Sequence, residues 1–363
     1  MRPRSRSTGA THGEEVTLGP TALPLRRLGR SDLEVSPIAL GCMGFGSSAW
    51  RPWTLDPPAA LPLLHRALEH GINFLDTANV YSTGRSEELV GGFLRQLGAA
   101  ARARLVVATK LFYPVGVGET GLSAGNVRQS CDDSLRRLGL ERIDLLQIHR
   151  WDSGTAVEET MAALAGLVRA GKVRALGASN IRAWQLAKMN FTARAHGWPE
   201  FVSVQAHYNL LHREDERELL PFCLDQQIGV LPWSPLARGR LARAALPLTP
   251  LGEAATARAG SDDVIDTLYG PPTDPLLGVV ARLAGELDST PARVAIAWLA
   301  GRPGVTAPVV GITRAAHIDD AIAALDLELP PEALRDLDAA YTPRAYVDLP
   351  WTSRNQTVLP ASS

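Results

Sequence analysis

Residues 71–91 read GINFLDTANVYSTGRSEELVG. Gly71 ends the amphipathic stretch PAALPLLHRALEHG (58–71), because glycine tolerates the left-handed backbone that closes a helix. INFLDT (72–77) is a short apolar run that turns polar at Asp76, and Tyr81 lies just beyond it. SEELVGGFLRQLG (86–98) restores a helical period, with Ser86 and neighbouring acids suited to a helix start. The stretch thus holds one complete unit: a strand apolar on both faces, a polar loop at its C-terminal end and a covering helix.

The same unit recurs in both directions. Upstream, LPLRRLGRSDLEVS (23–36) predicts a hairpin turning near Gly29-Arg30-Ser31-Asp32, followed by the strand PIALGCMGF (37–45). Downstream, LVVATK, IDLLQIH, VRALGAS and FVSVQAH precede the helical stretches SAGNVRQSCDDSLRRLG, TAVEETMAALAGLVRAGK, AWQLAKMNFTARAHG and DERELLPFCLDQQ. GVLPWS leads into an irregular segment, 238–273, and then the helices DPLLGVVARLAGEL and PARVAIAWLAG. APVVGIT and HIDDAIAALD follow, with an extra C-terminal helix near PEALRDLDAAY. Strands therefore begin near residues 37, 72, 105, 143, 173, 201, 229 and 307. Eight serial strand–helix units predict an α/β fold, a closed (β/α)8 TIM barrel with an N-terminal β-hairpin and a long loop after the seventh strand.

Composition narrows the function classes. The chain has 363 residues, 45% hydrophobic and 21% charged, ordinary for a globular protein. A net charge of −1 supplies no field for nucleic acid or an anionic membrane. Cys42, Cys131 and Cys223 are too few and too scattered for a disulfide framework or a cysteine zinc cage. No apolar run approaches the roughly 18 residues of a membrane helix. Residues 1–22 lack the apolar centre of a signal peptide and are expected to be a disordered extension, so a cytoplasmic location is expected. Residues 23–345 are expected to form the barrel and 346–363 a tail, with Tyr346 and Trp351 as its aromatic residues. Asn355-Gln356-Thr357 fits a glycosylation pattern, which carries no weight without a secretory signal.

In such a barrel, chemistry gathers where strands end and loops begin. Those positions are Asp76, Tyr81, Lys110, His149, Ser179, Asn180, Gln205 and Trp233. A lone lysine at a strand end is most often a solvated flank and a lone histidine more often structural than catalytic; eight polar or aromatic residues around one mouth are much harder to dismiss. A tyrosine is a weak acid, with an ordinary pKa near 10. A neighbouring lysine favours its phenolate, an aspartate can hold that lysine charged, and a histidine can polarise a carbonyl. The set suits protonation of a developing alkoxide but lacks a source of two electrons, which points to a nicotinamide cofactor.

These residues carry a resemblance. GINFLDTANVYSTGRSEELVG, LVVATK and LLQIHR resemble signature segments of the aldo-keto reductases, and the similarity extends over about residues 25–345. The resemblance implies that Tyr81 is the general acid, that Lys110 and Asp76 tune it, and that His149 orients the carbonyl. GASN places nicotinamide-carboxamide contacts on Ser179 and Asn180, and SVQAHYNLL adds Gln205. LPWSPLARGRL places the stacking aromatic at Trp233 and a pyrophosphate loop at Ser234, Leu236 and Gly239. PVVGITRAAHIDDAI places the adenosine end at Gly311, Thr313, Arg314, His317 and Asp320. Arg314 could pair with a 2′-phosphate, which favours NADPH/NADP+. His317 and Ala321 depart from the family's usual Gln or Arg and Asn at those positions.

Other patterns add less. Gly44-Phe45-Gly46-Ser47-Ser48-Ala49 matches a dinucleotide fingerprint by letter, but prolines rather than a helix follow it. His65 and His70 lack metal-site spacing, so no metal is assigned. Trp50, Trp53, Phe112, Tyr113 and Trp151 follow strands and could wall an aromatic-compatible pocket for a small-molecule carbonyl substrate. QIHRWD and YNLLHREDERELLPFC resemble a bacterial branch of aryl-alcohol and hemiacetal reductases, and the Ala-, Arg- and Gly-rich composition suits a bacterial source. A tailoring step in specialised metabolism fits that branch. Two other readings stay open: an NADPH-binding regulatory or scaffold subunit with little turnover, and an aldolase using Lys110 as a Schiff base.

Overall fold

The computed structural model describes residues 23–116, 118, 120–243, 258, 261–262, 264–270 and 274–346. The expectations for residues 1–22 and for the tail beyond Tyr346 lie outside these residues, as does most of the segment 244–263.

The chain begins with the expected hairpin, β1 (Arg26–Arg27) against β2 (Glu34–Val35), antiparallel. Its turn is closed by Leu28 N donating to Leu33 O at 2.9 Å. Eight parallel strands follow: β3 (Ala39–Gly41), β4 (Phe74–Asp76), β5 (Val106–Leu111), β6 (Ile143–Ile148), β7 (Val173–Ser179), β8 (Phe201–Gln205), β9 (Gly229–Val230) and β10 (Val309–Gly311). β10 pairs with β3. On the other side, Val230 O and Pro232 O accept from Thr306 N and Val309 N, at 2.9 and 2.8 Å, and so close the sheet. The eight strands fall where the apolar runs placed them, and the fold is a (β/α)8 barrel.

The helices are α1 (Pro57–Glu69), α2 (Arg85–Gln96), α3 (Ala99–Ala103), α4 (Ala124–Leu138), α5 (Val157–Arg169), α6 (Ala183–Ala195), α7 (Leu219–Asp225), α8 (Ile265–Tyr269), α9 (Pro275–Glu286), α10 (Pro291–Ala300), α11 (Ala315–Ala323) and α12 (Pro331–Ala340). Several begin as their sequences dictate. Ser123 accepts from Asn126 N to cap α4, and Thr290 and Asp274 cap α10 and α9, each ahead of a proline. Several elements differ from expectation, and the segment 238–273, read as irregular, carries the short α8 among its described residues. DERELLPFCLDQQ shortens to α7 because its first residues form a 3-10 turn at Glu214–Glu216. The chain after Gly98 adds the short α3.

Two apolar layers sandwich the sheet, and strand period sorts residues between them. Leu75, Val107, Leu146 and Leu176 point outward under the helices. Phe74, Val106, Ala108, Leu145, Ala175 and Leu231 point inward and pack with Leu28, Leu33 and Val35 of the hairpin, which plugs the N-terminal end. Gly29 makes that plug possible: its φ is +54°, and a Cβ there would lie 2.2 Å from Val202 O. One more step of two residues carries the inward row from apolar to polar, Phe74 to Asp76, Ala108 to Lys110 and Leu145 to Gln147, while β8 is already polar at Ser203 and ends on Gln205. The polar ends share one mouth.

Candidate active site

Lys110, at the end of β5, has no exposed surface. Its ammonium donates to Asp76 Oδ2 at 2.6 Å, to Thr77 O at 2.9 Å and to the Tyr81 hydroxyl at 3.3 Å. Asp76 Oδ1 accepts from Gln147 Nε2 at 3.0 Å and from Gln205 Nε2 at 2.9 Å. The carboxylate is therefore fully engaged, as a buried charge must be. Burial alone would lower the Lys110 ammonium, but Asp76 and Tyr81 outweigh it and hold its pKa above the ordinary value. Lys110 stays charged at neutral pH.

Tyr81 follows β4 on a strained loop in which Ser82 and Thr83 take φ values of 50° and 51°. The loop is seated by Ser82 Oγ, which accepts from Ser47 N at 2.9 Å. A Cβ on Gly46 would strike Ser82 Cβ at 2.4 Å. Gly46 therefore serves loop packing, and Gly44–Ala49 lacks the helix that a dinucleotide turn requires. Burial pushes the Tyr81 phenol up, with Lys110 opposing and Asp76 assisting the rise. This differs from the net lowering that the lysine alone suggested. The reason is that partial burial at the mouth disfavours the phenolate more than the Lys110 charge favours it.

His149 meets Tyr81 edge-on at 5.8 Å between ring centres and Tyr113 at 5.3 Å. Its Nδ1 is buried without a protein partner. Burial, then Lys110 and Arg150, hold its pKa well below the usual value, so the ring is neutral and one nitrogen carries a proton to donate. Beside it, Asn180, left-handed at φ 48°, donates to His149 O at 2.9 Å and to Ser179 Oγ at 3.0 Å. Ser179 Oγ donates to Gln205 O at 3.1 Å. Ser179, Asn180, Gln205 and His149 thus share one wall.

Trp233 comes next along the mouth, its backbone N–H donating to Ala206 O at 2.9 Å just past Gln205; it is half-buried, one face stacked on His207 at 4.1 Å and 11°. His207 stacks in turn on His212 at 4.0 Å. Asn209 Nδ2 donates to the Tyr269 hydroxyl at 3.1 Å, and that hydroxyl lies 2.7 Å from His207 Nε2. The indole N–H of Trp233 is buried without a protein partner. A half-exposed ring on a rigid stack, an unpaired donor and an adjacent Ser–Asn–Gln wall fit a planar carboxamide-bearing ring such as nicotinamide.

The loop past Trp233 is held in left-handed conformations at Ser234, Ala237, Arg238 and Gly239 (φ 53°, 47°, 55° and 97°). Asn209 Nδ2 donates to Ser234 O at 2.9 Å, and Gly239 N to Leu236 O at 2.8 Å. At the end of β10, Gly311 is exposed, Ile312 is buried, and Thr313 and Arg314 beyond it are exposed. The Arg314 guanidinium lies 3.1 Å from His317 Nε2. Asp320 instead accepts from Arg293 of α10 at 2.8 Å.

The aromatic residues divide into three groups. Phe112 packs on Tyr113 at 4.9 Å, and Tyr113 reaches His149. Trp50 and Trp53 pack together at 6.0 Å, and Arg258 of the long loop lies 4.5 Å above Trp53. Arg258 and Arg238 both pair with buried Asp262, which ties that loop across to the segment after β3. Trp151 packs at 5.5 Å on Trp184 of α6, which is 56% exposed. Of the five residues, Tyr113 stands at the reacting wall.

Reading strand ends missed Gln147 and the His207–His212–Tyr269 support. Gln147 had a signal: in IDLLQIH it shares the inward face with Leu145 and His149. The stack had none, because Tyr269 arrives from 36 residues past Trp233. Among the described residues, no group of three or more His, Cys, Asp or Glu is arranged to hold a metal ion. No helix among them is long and apolar enough to cross a membrane.

A barrel whose polar strand ends converge on a buried Asp–Lys pair, a tyrosine and a neutral histidine defines an oxidoreductase-type mouth. Comparison with known proteins agrees: the Aldo/keto reductase family model matches residues 37–342, and the chain belongs to that family. It is 38% identical over 342 residues to the versiconal hemiacetal acetate reductase of Aspergillus parasiticus, covering 88% of this chain and 97% of that one. It is 36% identical over 342 residues to the putative aryl-alcohol dehydrogenase AAD16 of Saccharomyces cerevisiae, covering 88% and 97%. Aldo-keto reductase AMT2 of Alternaria alternata is 38% identical over 341 residues, covering 87% and 91%. The protein is an oxidoreductase. These relatives come from fungi and yeast, so they do not carry the bacterial branch that QIHRWD suggested or the bacterial source that composition suggested.

Proposed function

We propose that the protein reduces an aldehyde or ketone to the alcohol with NADPH, with Tyr81 as the general acid. The observation that carries this reading is the chain of contacts from Asp76 through Lys110 to Tyr81, ending beside a neutral His149. NADPH, when bound, supplies the hydride. Ser179, Asn180 and Gln205 would hold the carboxamide and Trp233 the ring face; the loop at Ser234, Leu236 and Gly239 would follow the pyrophosphate. Gly311, Thr313, Arg314 and His317 would meet the adenosine end, with Arg314 against the 2′-phosphate. Asp320 would act through Arg293.

The chain's own residues then do the following. His149 donates a hydrogen bond to the carbonyl oxygen and polarises it. Tyr81, kept protonated at neutral pH by burial, hands its proton to that oxygen as it becomes an alkoxide. Charged Lys110 stabilises the phenolate left behind, and Asp76 holds Lys110 in place. Tyr113 and Phe112 bound the substrate side, with Trp50, Trp53 and Trp151 as outer wall, which suits aromatic or bulky carbonyl compounds. The names of two relatives, a versiconal hemiacetal acetate reductase and a putative aryl-alcohol dehydrogenase, fall in the same chemical range, and a tailoring role in specialised metabolism is in keeping with that likeness. Residues 23–345 act as one barrel unit, in the cytoplasm.

The Schiff-base reading loses support because Lys110 is fully buried, held by three acceptors and shifted toward its charged form. A nucleophilic lysine needs the opposite. The test is oxidation of NADPH, followed at 340 nm, with 4-nitrobenzaldehyde as probe. Turnover that Tyr81→Phe abolishes supports the reading; borohydride trapping of a carbonyl compound on Lys110 without NADPH oxidation overturns it.

A further inference from the structure

We infer that Gln147 is a positioning residue of the proton relay, and that with Gln205 it fixes the direction in which Asp76 pulls the Lys110 charge. This rests on the reductase reading of the site. Gln147 is fully buried, and its Nε2 donates to Asp76 Oδ1 at 3.0 Å. Gln205 Nε2 donates to the same oxygen at 2.9 Å. Two donors on Oδ1 leave Oδ2 to Lys110, so the carboxylate cannot rotate without breaking both.

The barrel has made room for this side chain. Lys110, Gln147, Gly177 and Ser203 stand in register across four neighbouring strands. A Cβ on Gly177 would lie 3.0 Å from Gln147 Cγ and 2.6 Å from Ser203 Oγ. Glycine at that point lets Gln147 lie flat across the barrel toward Asp76. An amide in this buried layer is costly unless it is used: Gln147 Oε1 and Ser203 Oγ both lack protein partners. Leucine, as found one layer below at Leu145, would fill the space without that cost. The amide is therefore explained by what it does to Asp76.

The consequence runs to Tyr81. With Gln147 removed, Asp76 keeps one amide donor and draws the Lys110 ammonium more strongly to itself. Less of that positive charge then faces the phenol, which holds its proton more tightly. Because Gln205 also lies on the nicotinamide wall, Gln147 is the clamp that does not depend on bound cofactor.

The experiment compares Gln147→Leu and Gln147→Glu with the unmodified protein, after circular dichroism has shown that each is folded. Tyr81 is titrated by its phenolate absorbance near 295 nm, as the difference from Tyr81→Phe in the same background. The expected result for Gln147→Leu is a Tyr81 titration about one pH unit higher, the scale of one hydrogen bond to a charged group. Turnover of 4-nitrobenzaldehyde should fall about tenfold while NADPH affinity, read by tryptophan quenching, stays within about twofold. In Gln147→Glu the introduced carboxyl, raised by burial and by Asp76, donates only when protonated. Its turnover should therefore recover as pH falls, which a merely space-filling role would not produce. An unchanged Tyr81 titration in folded Gln147→Leu overturns the inference. Absence of NADPH-dependent turnover in the unmodified protein would instead overturn the reductase reading, with the titration still deciding whether Gln147 acts on Tyr81.

Discussion

The Lys110 ammonium donates to Asp76 Oδ2 at 2.6 Å with both side chains out of water, 0% and 3% exposed. A buried pair of this kind stabilises little against an apolar replacement, yet losing one partner leaves an uncompensated charge. Lys110→Met should therefore cost about 3–5 kcal/mol in urea unfolding. Asp76→Leu combined with Lys110→Met should recover part of that loss. Additive losses in the double variant would show that the two charges do not act as a pair.

Tyr81→Phe keeps the ring and removes the proton. Turnover should fall about 10²- to 10⁴-fold, the range for loss of a general acid. Cofactor binding, measured by quenching of tryptophan fluorescence, should be nearly unchanged because Trp233 and its His207 stack are untouched. Full activity in this variant would remove Tyr81 from the reaction.

Three histidines at the mouth are held neutral. Burial lowers His149, His207 and His212 below the ordinary value of 6.5. In the unfolded chain each takes up a proton as pH falls through about 6.5, and the folded protein resists that uptake. Their contribution to stability is present in full above 6.5 and is lost as pH falls through that value toward the folded pKa values. Unfolding in urea at pH 7.5 and 5.5 should show lower stability at 5.5. His207→Gln should flatten that difference.

Arg314 is exposed at the end of β10 with His317 beside it. If it meets the 2′-phosphate, Arg314→Ala should weaken NADPH by about tenfold or more and leave NADH nearly unchanged. Parallel titrations with the two nucleotides read this directly. Equal losses would place the 2′-phosphate elsewhere.

Gly29 turns the hairpin where no side chain fits. Gly29→Ala would meet Val202 O at 2.2 Å and strain a positive φ, so the hairpin must lift from the barrel floor. A loss of about 1–3 kcal/mol is expected in thermal or urea unfolding, with turnover preserved in the folded fraction. The site lies at the other end of the strands.

Strand–helix alternation was legible in the sequence because each strand is apolar on both faces and each helix keeps its period, local properties that neighbouring residues carry. Strand ends were legible for the same reason: LVVATK and IDLLQIH announce Lys110 and His149 by the point at which apolar residues stop. Three things were decided only by closure of the barrel. Register across β4 to β6 brought Gln147 onto Asp76, two residues 71 apart in the chain. Tyr269 came back from the long loop to lock the His207–Trp233 stack. Burial at the mouth turned the expected lowering of the Tyr81 phenol into a rise. Partners distant in sequence and the loss of solvent are properties of the assembled mouth, and no local pattern encodes either.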